Sequence, residues 1–199
     1  VLEKHGVFTF GESAKESYER MIRAVTLAER AIADKRRTVM TRGGVAVRGI
    51  ESRLLPRIRG VLERAGADPL ERGPILHVRT DDFVHEFLSR SHAEELVQAG
   101  PATPDHVLRT KPTPLFVRDP SYTDLEGLGR RIEAMVQEYG GTYDAYFESM
   151  CAKKGVKRKK LDSLPRVILL PGFGMITVGK TLKDARVVAH VYDHSMAAM

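Results

Sequence analysis

Apolar residues recur at two periods along this chain, and the switches between them outline its elements. Residues 6–11 form an apolar stretch closing on a glycine. From Ser13 the spacing turns helical: Tyr18, Met21, Ile22, Val25, Ala28 and Ile32 share a face, and Ser13-x-x-Glu16 fits a capping box, so a helix is predicted over 13–34. After the turn-like Arg42-Gly43-Gly44, the short Val45-Ala46-Val47 suits a strand or part of a loop. A second helix is predicted over 50–65, interrupted early by Pro56 and ended by Gly66-Ala67-Asp68-Pro69. Residues 75–78 read as a strand after Gly73-Pro74, and amphipathic helices follow over 82–90 and 92–99. Pro101 and Pro104 punctuate a loop. Leu115-Phe116-Val117 reads as a short strand, 122–147 as a helix broken at Gly140-Gly141, and Val167-Ile168-Leu169-Leu170 as a strand between prolines. Strands alternate with helices, so the expected class is α/β or α+β.

The pattern repeats at an offset of 168 residues. Gly6, Thr9, Gly11 and Lys15 have identical mates in Gly174, Thr177, Gly179 and Lys183, while Val7, Phe8 and Phe10 face Met175, Ile176 and Val178. The caps match as well, Ser13 and Glu16 corresponding to Thr181 and Asp184. Each copy reads strand, glycine, capped helix. Two copies of one unit predict two related domains, a truncated first one over 1–38 and a second over 39–199. Val rather than Met at position 1, and a final Met199 inside helical periodicity, read as a piece of a longer polypeptide.

A length of 199 residues with 42% apolar and 29% charged residues excludes intrinsic disorder and a disulfide scaffold. The lone Cys151 excludes an internal bridge and a multiple-cysteine zinc site. Nothing resembles a secretory leader or a run of about 18 apolar residues. A soluble, reducing, cytoplasmic setting without a membrane partner is therefore expected. The net charge of +6 comes from one place: Lys153, Lys154, Lys157, Arg158, Lys159 and Lys160 supply six positive charges within eight residues, and the remaining 26 bases balance 26 acids. Without aromatic or polar readers interleaved, that run is a solvated or anion-touching loop, and no nucleic-acid partner is expected.

Four features bear on chemistry. Residues 174–181 satisfy the phosphate-loop pattern G-x-x-x-x-G-K-T, yet Met175-Ile176-Thr177-Val178 is strand material and the mate of Lys180 is Glu12. A strand-turn-helix joint is the better reading than a nucleotide cradle. His5 stands at the entry to the first apolar stretch, beside a glycine that would let a metal or substrate approach, and its repeat mate is Phe173. Asp105, His106, Arg109 and Lys111 form the densest polar group, in a proline-bounded loop suited to an anion such as a phosphorylated sugar. His85, His92, His190 and His194 read as helix-surface residues.

His5 through Gly11, followed by Ser13-Ala14-Lys15-Glu16, resembles the last strand-helix segment of the class II aldolase/adducin fold. The rest of the chain is similar to the central region of bifunctional proteins that fuse such an aldolase, of the rhamnulose-phosphate type, to a short-chain dehydrogenase. That similarity rests on residues 100–111, Asp119-Pro120-Ser121-Tyr122, Pro171-Gly172-Phe173-Gly174 and Gly179-Lys180-Thr181. The resemblance implies a layered sheet with flanking helices, its second copy divergent. It implies that His5 is the third imidazole ligand of a catalytic zinc whose H-x-H pair and acid lie upstream. NAD(P) would be needed only if a dehydrogenase module follows. The implied activity of the intact protein is reversible aldol cleavage of a ketose phosphate, and a homo-oligomer is compatible with it. The alternative is a non-catalytic interaction or linker domain, as in the adducin branch. In the second copy Phe173 replaces the ligand, and His77-Val78-Arg79 stands where the H-x-H pair would fall. A metal-free site lined by Arg79, His106, Arg109 or Lys111, empty or holding an anion, is the expectation there.

Overall fold

The computed structural model describes residues 1, 6–35, 41, 46–66, 73–101 and 103–199. A four-stranded sheet forms the middle of three layers. β1 (Ile75–Arg79), β2 (Leu115–Phe116), β3 (Val167–Leu170) and β4 (Gly174–Gly179) stand in the order β1-β4-β3-β2. β4 is antiparallel to both neighbours, whereas β2 runs parallel to β3. Successive strand residues face opposite sides. Ile168, Leu170, Ile176 and Val178 therefore pack with α2 (Glu51–Ala65) and α6 (Leu125–Lys154). Val167, Leu169 and Met175 pack with α3 (Asp82–Ser89), α4 (Ala93–Gln98) and α7 (Leu182–Ala198). Because both faces are covered, β3 and β4 are buried along their whole length, which is why they read as unbroken apolar runs. The expected α/β layered sheet with flanking helices is what forms.

Three local expectations are corrected. Pro56 lies inside α2 without interrupting it, because Leu54, Ile58, Val61 and Leu62 around it are all buried in the core. Gly140-Gly141 does not break α6, which runs continuously for 30 residues. The tyrosines on either side anchor it: Tyr139 donates to the Thr113 carbonyl at 2.8 Å, and Tyr143 is buried. The proline-punctuated loop contains α5 (Pro104–Thr110), with Thr103 as N-cap and Pro104 opening the first turn. Val45 lies outside the described residues, so the 45–47 expectation is not decided there.

The repeat has a physical form. Gly6 and Gly174 adopt the same unusual backbone, φ 136° and 141°. Thr9 Oγ1 donates to the Ser17 carbonyl at 2.8 Å, and Thr177 Oγ1 donates to the Ala185 carbonyl at 2.8 Å, the same bond 168 residues on. The caps also correspond: Glu16 N–H donates to Ser13 Oγ at 3.2 Å and Asp184 N–H to Thr181 Oγ1 at 3.1 Å. What differs is the surroundings. Phe8 and Phe10 are 66% and 80% exposed, while their mates Ile176 and Val178 are 0% and 1% exposed. Residues 7–10 accordingly form no ladder, and among the described side chains of α1 (Ala14–Lys35) none is buried. No described helix is long and apolar enough to cross a membrane.

Candidate functional site

β2 and β3 run parallel, so their carboxyl ends open on the same end of the sheet. Such an end is where open α/β sheets leave room for ligands, since the chain departs to either side. Here a cavity of about 970 Å³ lies between that end and the α3–α4 pair. Leu88, Phe116 and Tyr122 supply apolar wall, and His85, Arg90, Ser91, Glu94, Glu95, Gln98, Arg118 and Asp119 supply polar groups. Backbone contacts fix the rim: Val47 N–H donates to the Gly172 carbonyl at 2.7 Å, and Thr41 forms a β-bridge with Arg90. Tyr122 OH donates to the Pro171 carbonyl at 2.6 Å, and burial pushes its phenol up, so it stays neutral.

The charges in this cavity are unequally matched. Arg118 Nε donates to Glu94 at 2.8 Å, an exposed pair. Among the described residues, the Arg90 guanidinium has Glu86 at 3.8 Å and the Phe87 ring at 5.1 Å. Its Nε and the neighbouring Ser91 Oγ are buried and make no hydrogen bond. Asp119 at the rim has φ 44°, a conformation few residues other than glycine adopt.

The residues expected to line an anion site fall into different surroundings. Arg79, ending β1, donates through Nε to Asp81 at 2.7 Å and through Nη1 to Asp193 of α7 at 2.6 Å. The Asp81 bond chiefly holds its guanidinium above the usual range, and Asp81, raised by burial but lowered more by Arg79, stays ionised. His77 on the same strand face is pushed down by burial and then by the charges of Arg186, Arg79 and His190. On α5, His106 Nδ1 is hydrogen-bonded to Thr103 Oγ1, and Arg109 is exposed. Lys111, which ends α5 at φ 63°, is 1% exposed. Its ammonium donates to the Asp162 carbonyl and sits 3.6 Å over the Tyr143 ring. Burial pushes it down to about 8. The same pocket holds Asp162 well ionised: burial opposes this, but two hydrogen bonds from Arg166 and the charges of Arg166 and Lys111 outweigh it.

His5 lies outside the described residues, and among those described no three His, Cys, Asp or Glu side chains converge as a metal site would need. Its mate Phe173 is wholly buried, its ring 6.4 Å from that of Tyr122. The phosphate-loop pattern is a strand-turn-helix joint: Gly174–Gly179 is β4, and a Thr181–Asp184 capping box opens α7. The basic run 153–160 is exposed, with Lys160 paired to Asp144 at 2.7 Å. His190 and His194 are exposed on α7 and His92 at the start of α4, as expected, but His85 lines the cavity. Arg90, Ser91 and Arg118 drew no attention in the sequence, because two segments well apart in the chain bring them together.

This layered domain belongs to the family described as aldolase class II, second domain, whose family model matches residues 49–199. Over 208 aligned residues the chain is 31% identical to the uncharacterized oxidoreductase YuxG of Bacillus subtilis (strain 168). That match takes in the whole chain but 29% of the relative, so the chain spans under a third of that protein's length. No solved structure matches.

Proposed function

We propose that this chain is the junction of a longer fusion protein. Residues 1–38 supply the last strand and helix of a zinc-dependent class II aldolase domain that cleaves a ketose phosphate, and residues 39–199 form a metal-free aldolase-fold domain leading to a short-chain dehydrogenase module. One observation carries the reading: the strand-to-helix joint around Thr177 is reproduced around Thr9, down to the same hydrogen bond, yet its apolar positions are bare in the first copy and buried in the second. A face of that composition needs a sheet to cover it. The 29% share of an oxidoreductase relative supports further modules.

The residues fit metal differently in the two copies. In the first, a Cβ at Gly6 would meet no described residue within 4 Å. His5 would be one imidazole of a site completed by ligands from the preceding part of the domain. When bound, zinc supplies Lewis-acid polarisation of the substrate's carbonyl oxygen. In the second copy Phe173 offers no donor and Arg79 brings a cation to the same end of the sheet, so that copy does not fit zinc, and no catalytic step is assigned to it.

The test is made on the intact protein. Zinc content and ketose-phosphate cleavage should both be lost in His5→Ala, while NAD(P)-dependent oxidation is retained. A variant that keeps full zinc occupancy and cleavage refutes the assignment.

A further inference from the structure

The apolar stripe that seats α6 on the core continues where the core ends. Ile132, Val136 and Tyr143 are buried, and Tyr146, Phe147, Met150 and Cys151 extend the same helical spacing for two more turns. Yet Tyr146 is 41% and Met150 38% exposed, and from Asp144 to Leu161 no residue is buried. The helix thus extends about 16 Å past its last buried residue. Gly155, left-handed at φ 61°, then turns the chain back, and Lys160 Nζ meets Asp144 at 2.7 Å, tying the far end of the basic run to the helix. Ser163 Oγ holds the same carboxylate at 2.5 Å. The product is an arm of defined shape, apolar along one stripe and densely basic at its tip. We infer that this arm docks on an anionic lipid surface, its lysines meeting headgroup phosphates while its exposed apolar side chains enter the acyl boundary.

Charge selects a polyanion as the occupant. The tip carries six bases in eight residues, and no acid stands between Glu148 and Asp162. Among the described residues, only Lys160 of the six has an ion-pair partner. The apolar side chains then choose between polyanions. Met150, Val156 and Leu161 stand exposed among these charges. Aliphatic carbon gains little from sugar and phosphate, whereas at a bilayer it is buried while lysine stems reach the headgroups. Five of the six bases are lysines, point charges without the planar fork that reads guanine, and 144–161 contains no Asn, Gln or His to read another base edge. A cluster of about four to eight bases on an amphipathic helix is what anionic headgroups attract, and binding grows with both charge and apolar contact. No described helix can span a bilayer, and an arm docked on its surface needs none. The arm shares no residue with the zinc reading, so the two stand or fall separately.

Co-sedimentation of the intact protein with vesicles tests it, using equal parts phosphatidylglycerol and phosphatidylcholine against phosphatidylcholine alone, at low and high salt. The mixed vesicles should bind, the neutral ones more weakly by roughly tenfold or more, and added salt should weaken binding by screening. Lys157→Gln combined with Lys159→Gln should weaken it about 25-fold, about fivefold for each charge removed. Met150→Gln combined with Val156→Gln, which leaves the charge unchanged, should weaken it roughly tenfold through lost apolar contact. All four side chains are exposed, so both variants retain the fold. No binding to the mixed vesicles overturns the inference, as does equal binding to the neutral ones or full affinity in the lysine variant. Full affinity in the apolar variant leaves charge alone, which any polyanion satisfies, and overturns the choice of lipid. A single-stranded RNA oligonucleotide or polyglutamate that binds as tightly at the same salt overturns it too.

Discussion

Replacing Lys111 by methionine removes a buried ammonium while keeping most of the volume of its stem. In the folded chain the ammonium is 1% exposed and titrates at about 8. In the unfolded chain it titrates near the ordinary lysine value of about 10.4. Below pH 8 both states hold the proton, and the folded state bears the full cost of burying the charge. Between about 8 and 10.4 the unfolded state holds more protons, so stability rises with pH, and above that range the cost is gone. The gap corresponds to about 3 kcal/mol. Methionine cannot titrate, so wild-type stability relative to Lys111→Met should rise by about that amount between pH 7 and 10.5. The fixed losses, the bond to the Asp162 carbonyl and the contact with Tyr143, cancel in the comparison. Urea unfolding followed by circular dichroism across this range measures the difference, and tyrosine ionisation, common to both proteins, also cancels. A difference constant with pH, or one that falls, would show that Lys111 is solvated or compensated.

Gly174→Ala should cost about 3 kcal/mol or more, because φ is 141° and the new methyl would press on the Arg79 carbonyl oxygen of β1. Gly6→Ala, at nearly the same φ but with open space around it, should cost about 1–2 kcal/mol in the same urea assay, and equal costs would refute the packing argument. ATP with magnesium should leave the melting temperature of the chain unchanged, since residues 174–179 are a fully buried strand; a concentration-dependent rise would restore the phosphate-loop reading.

What the sequence revealed follows how far each signal had to travel along the chain. β3, β4 and α7 were legible because their information is local: apolar runs, a glycine, and Thr181 with Asp184. The helix at Pro104–Thr110 was also locally encoded, in Thr103 before Pro104, but two nearby prolines suggested a loop. Gly140-Gly141 misled for the opposite reason. Their low helix propensity is overridden by Tyr139 and Tyr143, whose partners lie in distant segments. Lys111 read as an anion-binding cation of a polar loop because Tyr143 and Asp162, which bury it, come from well down the chain. The cavity was illegible for the same reason. Neither helix period nor strand alternation marks Ser91, and the lack of a partner for its hydroxyl exists only once α3, α4 and the end of β2 have met.

Two arginines show how the second copy closes one part of the sheet end and leaves another open. Arg79 stands where the family resemblance places an imidazole, but it ties β1 to Asp81, the N-cap of α3, and to Asp193 on α7. One guanidinium there meets two carboxylates, and Asp193 keeps Oδ1 buried with no partner, so acceptors are already in excess. A phosphate or carboxylate arriving at Arg79 would add to that excess and meet like charge. Arg90 is the reverse case: a single exposed acid at 3.8 Å, and two unmatched donors in Arg90 Nε and Ser91 Oγ. The contrast is one of hydrogen-bond balance: acceptors are in excess where Arg79 ends β1, and donors are unmatched among the described residues at the α3–α4 turn.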